Sequence, residues 1–303
     1  MLKDTCIKTN SEIKQRLTDN PSADFLDDYI NAFGMNGLIV LSWWLGCIVC
    51  EQIREKHSSY PFLQVIGEPG SGKSAMIHFL WKLFGKSGDS INPNSSSLAG
   101  LFRKMAEASC MPIVINDVEG GNESQGKHAK KFLWDEHKDL FEGKIGRVTS
   151  NKSQNNSTRK PVFKAALLAV QNVPVIASIA TQARFVHLHF DRSHHSLEGK
   201  RAADRLRDKD IADVSGFFLK VCSQIDPLLL EYSRLLPACQ KELSLIPGLK
   251  NQRIIQNHAQ LMALAECLKM FLPISDAQVN ELKDAIKKRT EEWQTATEED
   301  CHV

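Results

Sequence analysis

Phe62-Leu63-Gln64-Val65-Ile66-Gly67-Glu68-Pro69-Gly70-Ser71-Gly72-Lys73-Ser74 is the stretch from which the rest of the chain is read. An apolar strand-forming run enters a glycine-rich turn, and Ser74 to Phe84 then reads as a helix. Residues 67–74 fit Gly-x-x-x-x-Gly-Lys-Ser at every fixed position, in a strand–loop–helix setting. The glycines let successive backbone N–H groups curl around a phosphate without Cβ clashes. The helix start adds its partial positive charge. The expected nucleotide-binding residues are therefore Gly67, Glu68, Pro69, Gly70, Ser71, Gly72, Lys73, Ser74 and Ala75. In this reading Lys73 reaches the β- and γ-phosphates and the Ser74 hydroxyl takes one Mg²⁺ position.

Working outward, three more apolar runs read as buried strands: Pro112 to Ile115, Ala165 to Val170 and Phe185 to Phe190. Strands alternating with helical segments predict an α/β fold, a mainly parallel sheet with helices on both faces. Residues 1–58 read as an N-terminal helical segment, with Asp24 to Phe33 and Leu38 to Arg54 at helical spacing. Residues 59–195 form the expected P-loop core, and residues 196–303 a C-terminal helical lid. The lid candidates are Asp210 to Leu236, Asn251 to Phe271 and Ser275 to Trp293, the last opening with a Ser275/Gln278 capping box.

The strand ends supply the remaining chemistry. The second strand runs into Asn116-Asp117-Val118-Glu119, which puts acids at the carboxyl edge of a parallel sheet, where such sheets bind ligands. Asp117 is the expected magnesium-side acid and Glu119 the expected base, although Val118 separates them. The third strand ends in Gln171-Asn172, amides able to hydrogen-bond a γ-phosphate or an attacking water; the competing reading of Asn172 is a turn residue before Val173-Pro174. Arg184 precedes the fourth strand, as a cation for a neighbouring subunit's nucleotide or as an ordinary surface arginine. Between the second and third strands, residues 143–164 read as a hairpin with an Asn/Ser/Gln-rich tip. From Gly143 to Lys160 it carries Lys144, Arg147, Lys152, Arg159 and Lys160 and no acid, which suits sequence-independent contact with a phosphate backbone. A solvated surface hairpin is the plain alternative.

Composition narrows the classes. The formal net charge is only +2, so nucleic-acid contact has to come from a local patch such as 143–160. Eight scattered cysteines, with Cys47 and Cys50 the one close pair, read as buried reduced thiols and fit a cytoplasmic location. The N-terminus shows no signal-peptide pattern. Gly37 to Cys50, the most apolar stretch, falls short of the roughly 20 residues that span a bilayer. It reads as a core helix, and no membrane partner is expected.

Taken in order, the P-loop, acidic strand end, polar strand tip and arginine before the last strand resemble the AAA+ ATPases over residues 60 to about 195. The resemblance implies a sensor role for Gln171-Asn172 and an arginine-finger role for Arg184, with the helical lid implied as well. A closer resemblance is to helicase-like ATPase regions in toprim-primase and replication proteins of phages, plasmids and integrated mobile elements. It is carried by Trp43-Trp44-Leu45-Gly46, Pro61-Phe62-Leu63, the P-loop, Phe79 to Gly85, Ala169 to Asn172 and Arg184 to Leu188. Hairpins before the sensor strand project into the pore of hexameric helicases of that class, so the resemblance implies DNA contact by residues 143–164. It also implies Mg-ATP as substrate, a homo-oligomeric ring and a primase partner; no primase or toprim signature is present in the chain.

His187 and His189 share one strand face without a completing ligand set and read as structural. Arg253 is a candidate lid arginine. The expected function is an AAA+ motor on DNA, with an ATP-dependent switch or loader as the main rival. A small-molecule kinase is the third reading, and it would require neither the hairpin nor the Asn172/Arg184 pair.

Overall fold

The computed structural model describes residues 24–93, 98–116, 133–145, 162–192 and 195–299. Four strands form one all-parallel sheet: β1 (Phe62–Ile66), β2 (Ser109–Asn116), β3 (Lys164–Gln171) and β4 (Phe185–His189), in the order β2-β3-β1-β4. All four predicted strands are present, each within a few residues of its expected bounds. The order matters for function. The chain leaves β1, builds β2 two positions away, and returns to insert β3 between them. The tip of β3 therefore stands level with the P-loop: Ile66 pairs with Gln171, and Gly67 N donates to Gln171 O at 3.3 Å.

Strand pleating sends alternate residues to opposite faces. Leu63, Val65, Ala166, Leu168, Val186 and Leu188 join one buried cluster; Phe62, Ala165, Leu167, Ala169, Ile113 and Phe185 join another. The first cluster lies under α1 (Leu26–Cys47), α2 (Cys50–His57) and α3 (Lys73–Leu83). The second is closed by α4 (Leu98–Glu107) and a 3-10 helix, Trp134–Glu142. Short α5 (Ile179–Gln182) leads into β4.

The C-terminal third is helical: α6 (Leu197–Asp208), α7 (Ile211–Val214), α8 (Gly216–Ser223), α9 (Ile225–Ser244), α10 (Gln252–Cys267) and α11 (Asp276–Glu299). Two details depart from the sequence reading. The segment expected as one helix over 210–236 is broken into three, and α6 appears where no helix is expected. The Ser275/Gln278 capping box is present, with Gln278 N donating to Ser275 Oγ at 3.2 Å and Ser275 N to Gln278 Oε1 at 2.9 Å. These helices join the same apolar cluster as α1 and the sheet: Leu206, Phe217, Leu261, Leu264 and Leu282 share it with Trp43, Trp44 and Val65.

The two N-terminal helices predicted on either side of residues 34–37 are one element bent at Gly34, whose φ of 59° and ψ of −159° only glycine adopts readily. By length and composition α1 is apolar enough to cross a membrane, but 78% of its most apolar window is buried inside the protein. Cys47, Cys50, Cys222, Cys239 and Cys267 are free and buried. Cys110 takes a φ of 58° where the register of β2 slips between Ser109 and Pro112.

Candidate nucleotide site

The P-loop starts where β1 can go no farther. A Cβ on Gly67 would lie 2.1 Å from the carbonyl oxygen of Phe190, so only glycine lets the loop leave the sheet here. Gly70 and Gly72 then take φ values of +83° and +91°, flanking Ser71. Left-handed residues alternating with ordinary ones turn successive N–H groups inward, which makes an anion-binding concavity. Gly72 caps α3 with no side-chain hydrogen bond, so the helix presents its first-turn N–H groups uncapped to the same spot. A cleft of about 490 Å³ opens there, lined by Pro69 to Ala75 and by Asn116, Val170, Gln171 and Asn172.

Lys73 is 8% exposed, and its ammonium is held by the loop itself. It donates to Gly67 O, to Glu68 O at 2.9 Å, to Ser71 Oγ at 3.3 Å and to Asn172 Oδ1 at 3.4 Å. The last contact brings the predicted β3 amide to the predicted phosphate-binding lysine, 99 residues away in sequence. Ser74 is exposed on the first turn of α3 and lines the cleft beside Asn116. The donor set fits a polyphosphate: one cation, a ring of N–H groups and a helix start. For Mg²⁺ the described residues offer the Ser74 hydroxyl; Asp117 and Glu119 lie outside the described residues. Glu68 and Pro69 are exposed at the lip, where Arg192 reaches Pro69 O at 3.3 Å and Glu68 at 3.7 Å.

Arg184 is 8% exposed, at the start of β4. Phe185 pairs with Phe62, so Arg184 sits at the opposite end of the strands from the P-loop, about 20 Å away along β1. Its guanidinium lies 5.7 Å from the Phe141 ring centre and donates to Ala180 O. Burial first, and then the nearby Arg253 charge, lower its pKa. Arg253 lies over the same ring at 6.0 Å, so the candidate lid arginine is beside Arg184 and not beside this chain's P-loop.

Only the stem of the 143–164 hairpin is described. Lys144 bridges to Val162 antiparallel, and Phe163 N donates to Gly143 O at 2.8 Å. Lys144 is exposed and ion-paired with Glu142 at 2.5 Å, an acid one residue before the basic run. Arg147, Lys152, Arg159 and Lys160 lie outside the described residues. The stem is gripped from α2, where Arg54 donates to Phe141 O and Phe163 O, both at 3.2 Å, and Glu51 pairs with Lys164 at 2.8 Å.

Sequence reasoning missed three residues. Gln64, fully buried in mid-strand, links Gln171 to His187. His187 is thereby accounted for without metal, and among the described residues no group of three His, Cys, Asp or Glu side chains could hold one. Arg289 on α11 reaches Asn36 Oδ1 at 3.3 Å, while Asn36 donates to His189 O at 2.9 Å on the strand beside β1. A polar residue at an inward position of a strand was the one available signal for Gln64.

No family model matches this chain, and no curated protein matches it. Among solved structures it overlays on SCCmec type IV Cch, described as an active helicase, with a TM-score of 0.61 at 11% identity. The overlay covers 92% of this chain and 52% of that one, so the chain spans about half the length of the helicase it matches. JCV helicase is matched with a TM-score of 0.33 at 17% identity, over 95% of this chain and 75% of that chain. Its inhibitor-bound form gives 0.35 at 18%, over 91% and 74%. Overlays that loose carry no weight, whereas the first establishes architecture. The likeness is one of fold: an all-parallel sheet with helices packed around it, entered through a P-loop.

Proposed function

We propose that this chain is the ATPase core of a Mg-ATP-dependent motor of the AAA+ kind acting on DNA, a replicative helicase of a mobile element. The observation that carries the reading is the meeting of Lys73 with Asn172 inside a cleft lined by a P-loop, on a sheet whose β3 is inserted between the P-loop strand and β2. A bare phosphate-binding loop needs no amide at that place. An amide beside the γ-phosphate position suits a reaction in which a water must be oriented.

In this reading Lys73 and the loop N–H groups bind the polyphosphate. Ser74 and Asp117 hold Mg²⁺, which neutralises phosphate charge. Asn172 and Glu119 orient water, and Arg184 acts on the nucleotide of an adjacent copy in a homo-oligomeric ring such as a hexamer. Lys144, Arg147, Lys152, Arg159 and Lys160 touch the DNA backbone without reading sequence. A primase partner and a cytoplasmic location complete the proposal. The overlay on a protein described as an active helicase supports it at the level of architecture.

The test is ATP turnover with and without DNA. Wild type should be stimulated by DNA, Lys73→Ala should lose turnover altogether, and a variant with all five hairpin bases replaced should keep basal turnover but lose stimulation and DNA affinity. Turnover indifferent to DNA in wild type would sink the motor. One observation favours the rival switch or loader: Arg184 is buried against its own chain, as a switch that needs no trans-acting arginine would allow. Slow turnover by a protein that stays monomeric with a non-hydrolysable ATP analogue would select that reading.

A further inference from the structure

Gln64 is a polar residue where packing alone would place an apolar one. It is fully buried at the centre of β1, between β3 and β4, with Ala169 and His187 as its register partners. Its amide is engaged at both ends. Nε2 donates to Gln171 Oε1 at 3.3 Å, and Oε1 lies 2.6 Å from His187 Nδ1. The His187 ring stacks on Trp293 of α11, with centres 3.8 Å apart, and turns Nε2 toward Gln182 O at 3.4 Å. Gln171 in turn lines the phosphate cleft next to Asn172.

Such a chain has a direction. An amide has a donor end and an acceptor end, and a neutral imidazole has one of each. Burial holds His187 neutral, with a pKa of about 3. If His187 Nδ1 carries the proton it donates to Gln64 Oε1. Gln64 Nε2 then donates to Gln171 Oε1, and the remaining end of Gln171, its NH2 group, is the one presented to the cleft. Rotating both amides by half a turn reverses everything: Gln171 then presents its oxygen, and His187 Nε2–H donates to Gln182 O. The first direction leaves the bare His187 Nε2 facing Gln182 O with no hydrogen bond between them, but a phosphate offers only acceptors, so that direction alone gives the phosphate a partner.

We propose that Gln64 and His187 are positioning residues that hold the Gln171 amide with its NH2 toward the cleft, making Gln171 a donor to the terminal phosphate of ATP. The inference rests on the ATPase reading above and adds to it a phosphate ligand and the two side chains that aim it. The same reversal puts a donor on, or takes it off, Gln182 O, two residues before Arg184.

The test compares dissociation constants for ADP and for a non-hydrolysable ATP analogue, measured by calorimetry on the full chain. A hydrogen bond to a charged group is worth tenfold or more in affinity. Gln64→Leu, close in volume and apolar, should therefore bind the ATP analogue about tenfold more weakly with ADP affinity within about twofold of wild type. His187→Phe, which keeps a ring against Trp293, should shift the same ratio in the same direction. The double variant Gln64→Leu/Gln171→Leu should lose no more than Gln171→Leu alone, because Gln64 acts through Gln171. A merely structural role would weaken both nucleotides together. The inference falls if ADP and the ATP analogue lose affinity equally, or if neither changes in both Gln64→Leu and His187→Phe, while wild type binds both nucleotides and Lys73→Ala binds neither. If wild type itself binds neither nucleotide, the ATPase reading falls first and takes this inference with it.

Discussion

Single residues set the sharpest constraints in this chain. At Gly67 a methyl group would meet a backbone carbonyl 2.1 Å away, and backbone cannot step aside as a side chain can. Gly70 is the opposite case: a Cβ meets nothing within 4 Å, and only its φ of +83° resists substitution. Gly67→Ala should cost about 2–4 kcal/mol and abolish nucleotide binding. Gly70→Ala should cost about 1 kcal/mol, the ordinary left-handed penalty, and leave the fold intact. Urea unfolding with nucleotide titration separates the two.

Two histidines carry a pH signature. Burial lowers His187 to about 3 and His258 to about 4, whereas an unfolded histidine titrates near 6.5. Below about pH 6.5 the unfolded chain takes up protons that the folded chain refuses, so stability falls with pH until the folded values are reached. Each histidine contributes a slope approaching 1.4 kcal/mol per pH unit in that window and nothing above it. His258→Leu should unfold with a visibly flatter stability profile between pH 6.5 and 4, and an unchanged slope would refute the assignment.

Among the elements, the strands were the most legible. Each is a short run buried on both faces, so apolar composition alone marks it, and the P-loop fixed the helix that follows β1. The helix α6 was not legible because its signal is charge: Glu198, Lys200, Arg201, Asp204, Arg205 and Arg207 face outward, and Gly199, Ala202 and Leu206 are all it buries. Gln64 escaped for a related reason. One polar side chain in a strand carries no periodic signal, and its meaning appears only when three strands lie side by side. Asn172 could be read as a turn residue or as a phosphate sensor until the fold brought it to Lys73. The grip of α2 on the hairpin stem was likewise invisible, since Arg54 lies 87 and 109 residues from the carbonyls it holds. Arg54→Met, which keeps the aliphatic stem, should cost about 2–3 kcal/mol through two lost charge-assisted hydrogen bonds. It should also speed tryptic cleavage between residues 143 and 164 ahead of any other site.

For the whole molecule, the apolar cluster decides how the helical third behaves. Leu264 and Leu282 belong to the same buried mass as Trp44 and Val65. Asn257 Nδ2 donates to Ala183 O at 3.0 Å and Gln260 Nε2 to Ser59 O at 3.1 Å, so α10 is tied to the chain entering β4 and β1. Unfolding should therefore be a single transition, with far-UV circular dichroism and tryptophan emission coinciding within error. Two separated midpoints would mean that the helical third melts on its own.

The sheet also limits how copies of this chain meet one another. Along β2, Ile91 already occupies the outer hydrogen-bonding row, its N–H donating to Val114 O at 2.8 Å and its carbonyl accepting from Asn116 N at 3.1 Å. Beyond β4, the Asn36 amide takes His189 O. Strand-to-strand growth, the route by which open sheets template fibres, therefore meets a partner already seated at the C-terminal end of each edge strand. At those ends further strand pairing is blocked, so old preparations should seed no fibre growth in fresh ones, and thioflavin fluorescence that rises on seeding would refute this.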